Sequence, residues 1–273
     1  MMKNSDGSLR QSMPFQIGGW QILALPLVLF LAIPLIGLMF QVPYRNLMEI
    51  LKSQQAAQAV NLSLFTSFLS VGIILFTGTP LAYWLAQRRT RLSRLIETLV
   101  ELPTVLPPAV AGIALLMAFG RHGIVGSGLN ALGITLPFTP AAVILAQVFI
   151  ACPLFIKTAV IGFSGVNIEL KQAAALDGAN AWQIFQYVGF PLARLSLLNG
   201  SALAWARALG EFGATIIFAG NYPGRTQTMP LAIYLGFEID LEVALALSFV
   251  MIGFSVVILL LIKRIFYTSE WHR

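Results

Sequence analysis

The chain is poor in charge, histidine and cysteine. Only 10% of its 273 residues are Asp, Glu, Lys or Arg, against about 25% in soluble domains. With 58% hydrophobic residues and a mean hydropathy of +0.82, too much apolar surface is present for a soluble core to hide. Lipid must be the solvent for much of it. The single cysteine, Cys152, lies in an apolar run and excludes an intrachain disulfide. His122 and His272 are far apart, and with one thiol they do not make a metal site. A G-x-x-x-x-G-K-[ST] phosphate loop is missing, so ATP hydrolysis is not expected of this chain. Neither an internal repeat nor a low-complexity stretch stands out.

What the chain does contain is apolar runs near the 20 or so residues that a membrane helix needs. Six are read: Ile22–Phe40, Val60–Ala86, Leu102–Phe119, Ala141–Phe163, Leu192–Ala219 and Val243–Ile262. The second holds Gly78 and Pro80, which predicts a kink or tilt. The third opens on Pro103, Pro107 and Pro108, which should bend its entry. The first follows Lys3 and Arg10, as a signal peptide would. Its length, its two prolines and the lack of an A-x-A-like site favour a retained helix.

The net charge of +6 and pI of about 9.8 fit cytoplasmic enrichment of Lys and Arg. No basic stripe interleaved with aromatics suggests nucleic acid. With the N-terminus inside, Lys3, Arg10, Arg88, Arg89, Arg91, Arg94, Lys171, Arg194, Lys263, Arg264 and Arg273 fall on one side. Arg45, Lys52, Arg121 and Arg225 fall on the other. Both termini are therefore expected in the cytoplasm. The cluster 88–94 reads as an anchor beside anionic lipid.

This topology makes residues 164–191 the only long inside loop. Its alanines favour helix over 167–187, with a break at Gly178. Leu170, Trp182, Ile184, Phe185 and Tyr187 are too apolar for a free loop and mark an interface. An amphipathic helix on the bilayer surface is the alternative. Glu169, Lys171 and Asp177 give it no basic polar face.

The same loop resembles the coupling signature of bacterial ABC importer permeases, E-A-A-x-x-x-G followed by I-x-L-P. The matching residues are Gln172, Ala173, Ala174, Gly178, Val188, Phe190 and Pro191, with Asp177 beside the glycine. Gln172 replaces the usual Glu, and Val188 and Phe190 replace Ile and Leu. Residues 208–234 (ALGEFGATIIFAGNYPGRTQTMPLAIY), 101–116 and 120–128 are similar to molybdate permeases. Sulfate and thiosulfate permeases are close relatives that should match less well at 224–228.

The resemblance implies an all-α membrane protein of about six spans, like a type I ABC importer permease. It would have an N-terminal tail over 1–17, a permease domain over 18–265 and a C-terminal tail over 266–273. It also implies a second, identical permease chain, two ATP-binding chains carrying ATP and Mg2+, and an external molybdate receptor. No cofactor is expected in the chain itself. An ion-coupled secondary transporter is the rival from another class. It would show inverted repeats, broken helices and titratable groups near the midplane.

Two further groups of residues carry charge where it matters. Arg207 and Glu211 are four apart in the fifth run, hence on one helix face and expected to pair. Either the pair fixes helix packing, or Arg207 with Gly210 and Glu211 lines or gates an anion path. The small Gly210, Gly213 and Ala214 allow close packing, against the third run or against a second copy. The loops 120–140 and 220–230 are expected outside, where Arg121 and Arg225 could meet a receptor. Plain turn chemistry explains their Gly and Pro equally well.

Overall fold

The computed structural model describes residues 19–88 and 90–270. The expected N-terminal tail, 1–17, lies outside these residues, as do 271–273. Helices alone make up the regular structure among the described residues. A first unit, ending at Val42, contains α1 (Gly19–Gln41), an uncharged helix with Pro26 and Pro34 inside it. The second unit begins at Pro43. It runs α2 (Leu47–Lys52), α3 (Gln54–Gln87), α4 (Arg91–Val105), α5 (Pro108–Phe119), α6 (Gly126–Ala131) and α7 (Pro140–Ser164). There follow α8 (Ile168–Leu176), α9 (Ala181–Ile184), a π-helical turn (Phe185–Gly189) and α10 (Phe190–Leu209). The unit closes with α11 (Gly213–Phe218), α12 (Met229–Ile239) and α13 (Leu241–Glu270).

Among the described residues, four stretches are long and apolar enough to cross a membrane unbroken: Leu23–Gln41, Gln54–Gln87, Pro140–Ser164 and Leu241–Leu261. The third and fifth expected runs are not single helices. The third starts earlier, at Arg91, and α4 and α5 meet at 119°. Leu106 and Pro107 are extended there, with ψ of 135° and 134°. Pro107 and Pro108 offer no N–H, and each biases its predecessor away from helix. The fifth stops at Leu209 and resumes at Gly213. Pro80, by contrast, leaves α3 continuous for 34 residues. The last helix runs past the expected end of the sixth run at Ile262, reaching Glu270.

Helix α7 is the centre of the second unit, buried against α3 and α10. The side chain of Phe155 is wholly buried and shows how the three helices mesh. A Cβ on Gly78 of α3 would lie 3.0 Å from its Cδ1, and one on Gly200 of α10 3.2 Å from its Cδ2. The two glycines thus form the socket for the ring, which is the close approach that lipid-embedded helices use in place of a hydrophobic drive. Helix α10 runs unbroken through Asn199, Gly200 and Ser201.

Both broken runs follow α7 along its length. Glu101 of α4 contacts Lys157, and α5 packs Ala111 and Leu115 with Ala142, Val143, Ala146 and Ile150. Likewise α10 meets the later half of α7 through Gly162 and Ser196, while α11 joins the cluster around Ala142–Ile150. The two breaks touch: a Cβ on Gly213 would lie 2.6 Å from Pro108 Cβ, and one on Gly112 2.9 Å from the Ala214 carbonyl. Gly213 and Ala214 serve close packing against the third run, one of the two partners expected for the small residues, whereas Gly210 is exposed.

Candidate functional site

Residues 164–191 fold as two short helices around a glycine turn. Asn167 caps α8, its Oδ1 accepting from Glu169 N at 2.9 Å. Gly178 ends that helix at φ +89°, a conformation that costs other residues energy. Its N–H donates to Ala175 O, and Ala179 N to Ala174 O, which satisfies two terminal carbonyls. Asn180 and Gln183 then form a reciprocal capping box that starts α9. Phe185 anchors the segment to the membrane helices, 4.8 Å from the Tyr83 ring and 6.1 Å from Phe163, centroid to centroid.

The opposite face is apolar and uncovered. Leu176 is 90% exposed, Tyr187 69% and Trp182 67%. The segment also holds a depression of about 270 Å3 lined by Ala174, Asp177, Gly178, Ala179, Gln183, Tyr187 and Val188. Ala174, Asp177, Gly178 and Val188 of the coupling signature, with Tyr187, thus line one concavity. Gln172 and Ala173 are exposed on α8, and Pro191 sits in the first turn of α10.

The second candidate lies at the break between α10 and α11. Arg207 Nη1 donates to Glu211 Oε2 at 2.7 Å, and the other carboxylate oxygen accepts from Ala214 N at 2.8 Å. Glu211 is 1% exposed, so its carboxylate both caps α11 and holds the guanidinium in place. Arg207 remains 35% exposed and Gly210 is exposed. The arrangement presents one positive group at a helix break with its counter-ion fixed behind it.

Sequence reasoning missed a second pair. Lys157 Nζ of α7 lies 3.2 Å from Glu101 Oε1 of α4. Lys157 was visible as a lone cation in an apolar run; its partner stood just ahead of the expected start of the third run. The loop 220–230 is exposed only in part. Only Tyr222, Pro223, Gly224 and Arg225 are exposed, whereas Thr226, Gln227 and Thr228 are fully buried at 0%, 1% and 0%. Arg121 is exposed in the loop before α6.

Residues 78–268 match the binding-protein-dependent transport system inner membrane component family. The chain belongs to that family. A probable transport system permease protein NifC of Clostridium pasteurianum is 37% identical over 261 residues, covering 94% of this chain and 91% of that one. A molybdenum transport system permease protein ModB of Mycobacterium tuberculosis is 37% identical over 248 residues, 90% and 94% of the two chains. Among solved structures, a chain of a bacterial alginate ABC transporter in complex with an alginate-bound periplasmic protein superposes with a TM-score of 0.72. It is 18% identical and covers 90% of this chain and 93% of its own. A chain of the inward-facing MetNI methionine ABC transporter gives 0.61 at 19% identity, with 77% and 94% covered. These likenesses carry the fold. Broken helices, expected of a secondary transporter, therefore occur here in a member of the permease family.

Proposed function

We propose that this chain is the membrane-spanning subunit of an ATP-driven molybdate importer, with tungstate as a second cargo of the same shape. The observation that carries the cargo is its 37% identity, over nine-tenths of its length, to molybdenum transport permeases. The uncovered apolar face of 168–189 supports docking of a separate ATP-binding chain, which brings the ATP and Mg2+. Two such chains, two permease chains and an external molybdate receptor complete the assembly, with both permease termini inside. Arg121 and Arg225 face the receptor, and Arg207, Gly210 and Glu211 line or gate the path. No cofactor is needed in the permease.

Energetics favour a driven mechanism. A dianion entering against 100 mV, negative inside, faces about 4.6 kcal/mol. Each tenfold accumulation adds about 1.4 kcal/mol. A passive pore would let the anion run outward. Alternating access meets the need if partner closure displaces 168–189 and thereby switches the opening of the broken helices.

Reconstitution with the cognate ATPase and receptor tests the reading. Molybdate-loaded receptor should stimulate both ATP hydrolysis and uptake. Import blocked by excess sulfate but not by molybdate would overturn the cargo in favour of sulfate or thiosulfate. Import without any ATPase chain would overturn the mechanism.

A further inference from the structure

A cavity of about 730 Å3 lies where the end of α3, the start of α4, the end of α7 and the start of α8 converge. Arg88, Arg94 and Lys171 line it with one acid, Glu97, and the hydroxyls of Ser93 and Ser164. The three cations outnumber the acid by two. None of them forms an ion pair among the described residues, whose pairs are Lys157–Glu101 and Arg207–Glu211. Lys171 instead donates from Nζ to the Phe163 carbonyl at 3.4 Å, and burial lowers its pKa. Helix α4 adds to the imbalance. Its first turn has no acid and holds Arg91 and Arg94, so cations sit at the positive end of the helix dipole.

Charges of one sign around a cavity raise its potential and draw in the opposite ion. Guanidinium groups offer paired donors that match the oxygens of a phosphate-like group. Two arginines and an ammonium line the cavity with a single carboxylate, Glu97, and the Ser164 hydroxyl, while the Ser93 hydroxyl already donates to Thr90 O. We infer that this cavity binds a tetrahedral oxyanion group, either a soluble oxyanion or the phosphate of an anionic phospholipid, held by Arg88, Arg94 and Lys171. The bound group bridges α8 to the α3–α4 corner. It thereby ties the first half of the coupling segment to the bent helix pair. This site is separate from the depression on the outer face of 168–189, and it does not rest on the transported cargo.

Binding to the purified full-length chain tests it in two arms. Native mass spectrometry after delipidation compares phosphatidylglycerol with phosphatidylcholine; calorimetry titrates inorganic phosphate and molybdate. One arm should show one anion per chain, weakened at least ~10-fold by Arg88→Gln with Arg94→Gln and unchanged by Arg45→Gln on the far loop. Selective retention of phosphatidylglycerol assigns the lipid headgroup, and saturable heat with phosphate or molybdate assigns the soluble ion. Arg94→Lys and Lys171→Gln replace the double variant if it does not purify as a monodisperse species. Lys171→Gln should then weaken binding while Arg94→Lys retains part of it. No binding in either arm, or equal loss in Arg45→Gln, overturns the site. The assay contains no ATPase and no receptor, so its failure leaves the importer reading intact, and failed uptake leaves the site intact.

Discussion

Residues 168–189 and 224–229 are opposite solutions to the same sequence problem, a mixed polar and apolar segment between membrane helices. The first turns its large apolar side chains outward, with Leu176 90% exposed. The second turns its polar side chains inward. Gln227 accepts from Gln55 Nε2 at 3.2 Å, Tyr222 N donates to Thr226 Oγ1 at 3.1 Å, and Met229 N donates to Ser63 Oγ at 2.6 Å. One segment leaves an apolar surface uncovered. The other is largely buried and clamped onto the start of α3, with Gln227 Nε2 and Thr228 Oγ1 left without a partner among the described residues. Exposure and participation in the fold are thus divided between them.

Breaking the first segment should cost the most activity and the least stability. Ala174→Arg fills the depression, and Trp182→Ala removes its apolar neighbour. Each should lower receptor-stimulated ATP hydrolysis and uptake at least ~10-fold, as loss of a central interface contact does. Because these side chains bury little in the chain itself, the melting temperature of the isolated permease should stay within about 2 °C. A large fall in melting temperature would make 168–189 a structural element rather than a docking surface.

Arg207→Gln comes next. It leaves the Glu211 carboxylate, 1% exposed, without its cation, at a cost of about 3 kcal/mol. If Arg207 serves the anion path, uptake falls by more than the yield of assembled transporter does. Uptake and assembly lost in equal proportion would leave only a packing role. Glu211→Gln in the same background separates the two effects, since it removes the stranded charge and should restore assembly without restoring uptake.

Much of this was legible beforehand, for identifiable reasons. The two-helix fold of 168–189 was legible because Gly178 and the alanines set local geometry, and local geometry needs no knowledge of neighbours. The Arg207–Glu211 pair followed from a spacing of four. The broken helices did not follow, because apolar runs report burial in lipid and are blind to direction. Pro107 and Pro108 forecast a bent entry, yet the 119° turn depends on α5 finding Gly213 and Ala214. The burial of Thr226, Gln227 and Thr228 was hidden for the opposite reason. Gln55, which donates to Gln227, and Ser63, which accepts from Met229 N, lie more than 160 residues away in sequence, and polar residues beside Pro and Gly look like an exposed turn.

Ser63→Ala sharpens the second half of the comparison. It strands the Met229 N–H in a fully buried place, at about 1–3 kcal/mol. The melting temperature should drop by several degrees, at about 2–4 °C per kcal/mol for a chain of this size. Below that temperature uptake should be nearly normal. Uptake abolished at full stability would move this segment into the transport machinery and erase the contrast with 168–189.

The smallest effect is expected at Lys157–Glu101, and its size decides what surrounds the pair. Their side chains are 69% and 46% exposed. Exposed to water, such a pair is worth about 0.2–1 kcal/mol and is screened by salt. Exposed to hydrocarbon, breaking it would strand a charge at about 3 kcal/mol. The pair joins α4 to α7 beside the bent helices, and water surrounds it if the proposed anion path runs there. Lys157→Gln and Glu101→Gln should therefore each shift the melting temperature by no more than about 3 °C. The shift should shrink further as salt rises from 50 to 500 mM, because about 4 Å of Debye length remains at the higher value. A salt-independent loss several times larger would place the pair against lipid and close this side of α4 as a route for the anion.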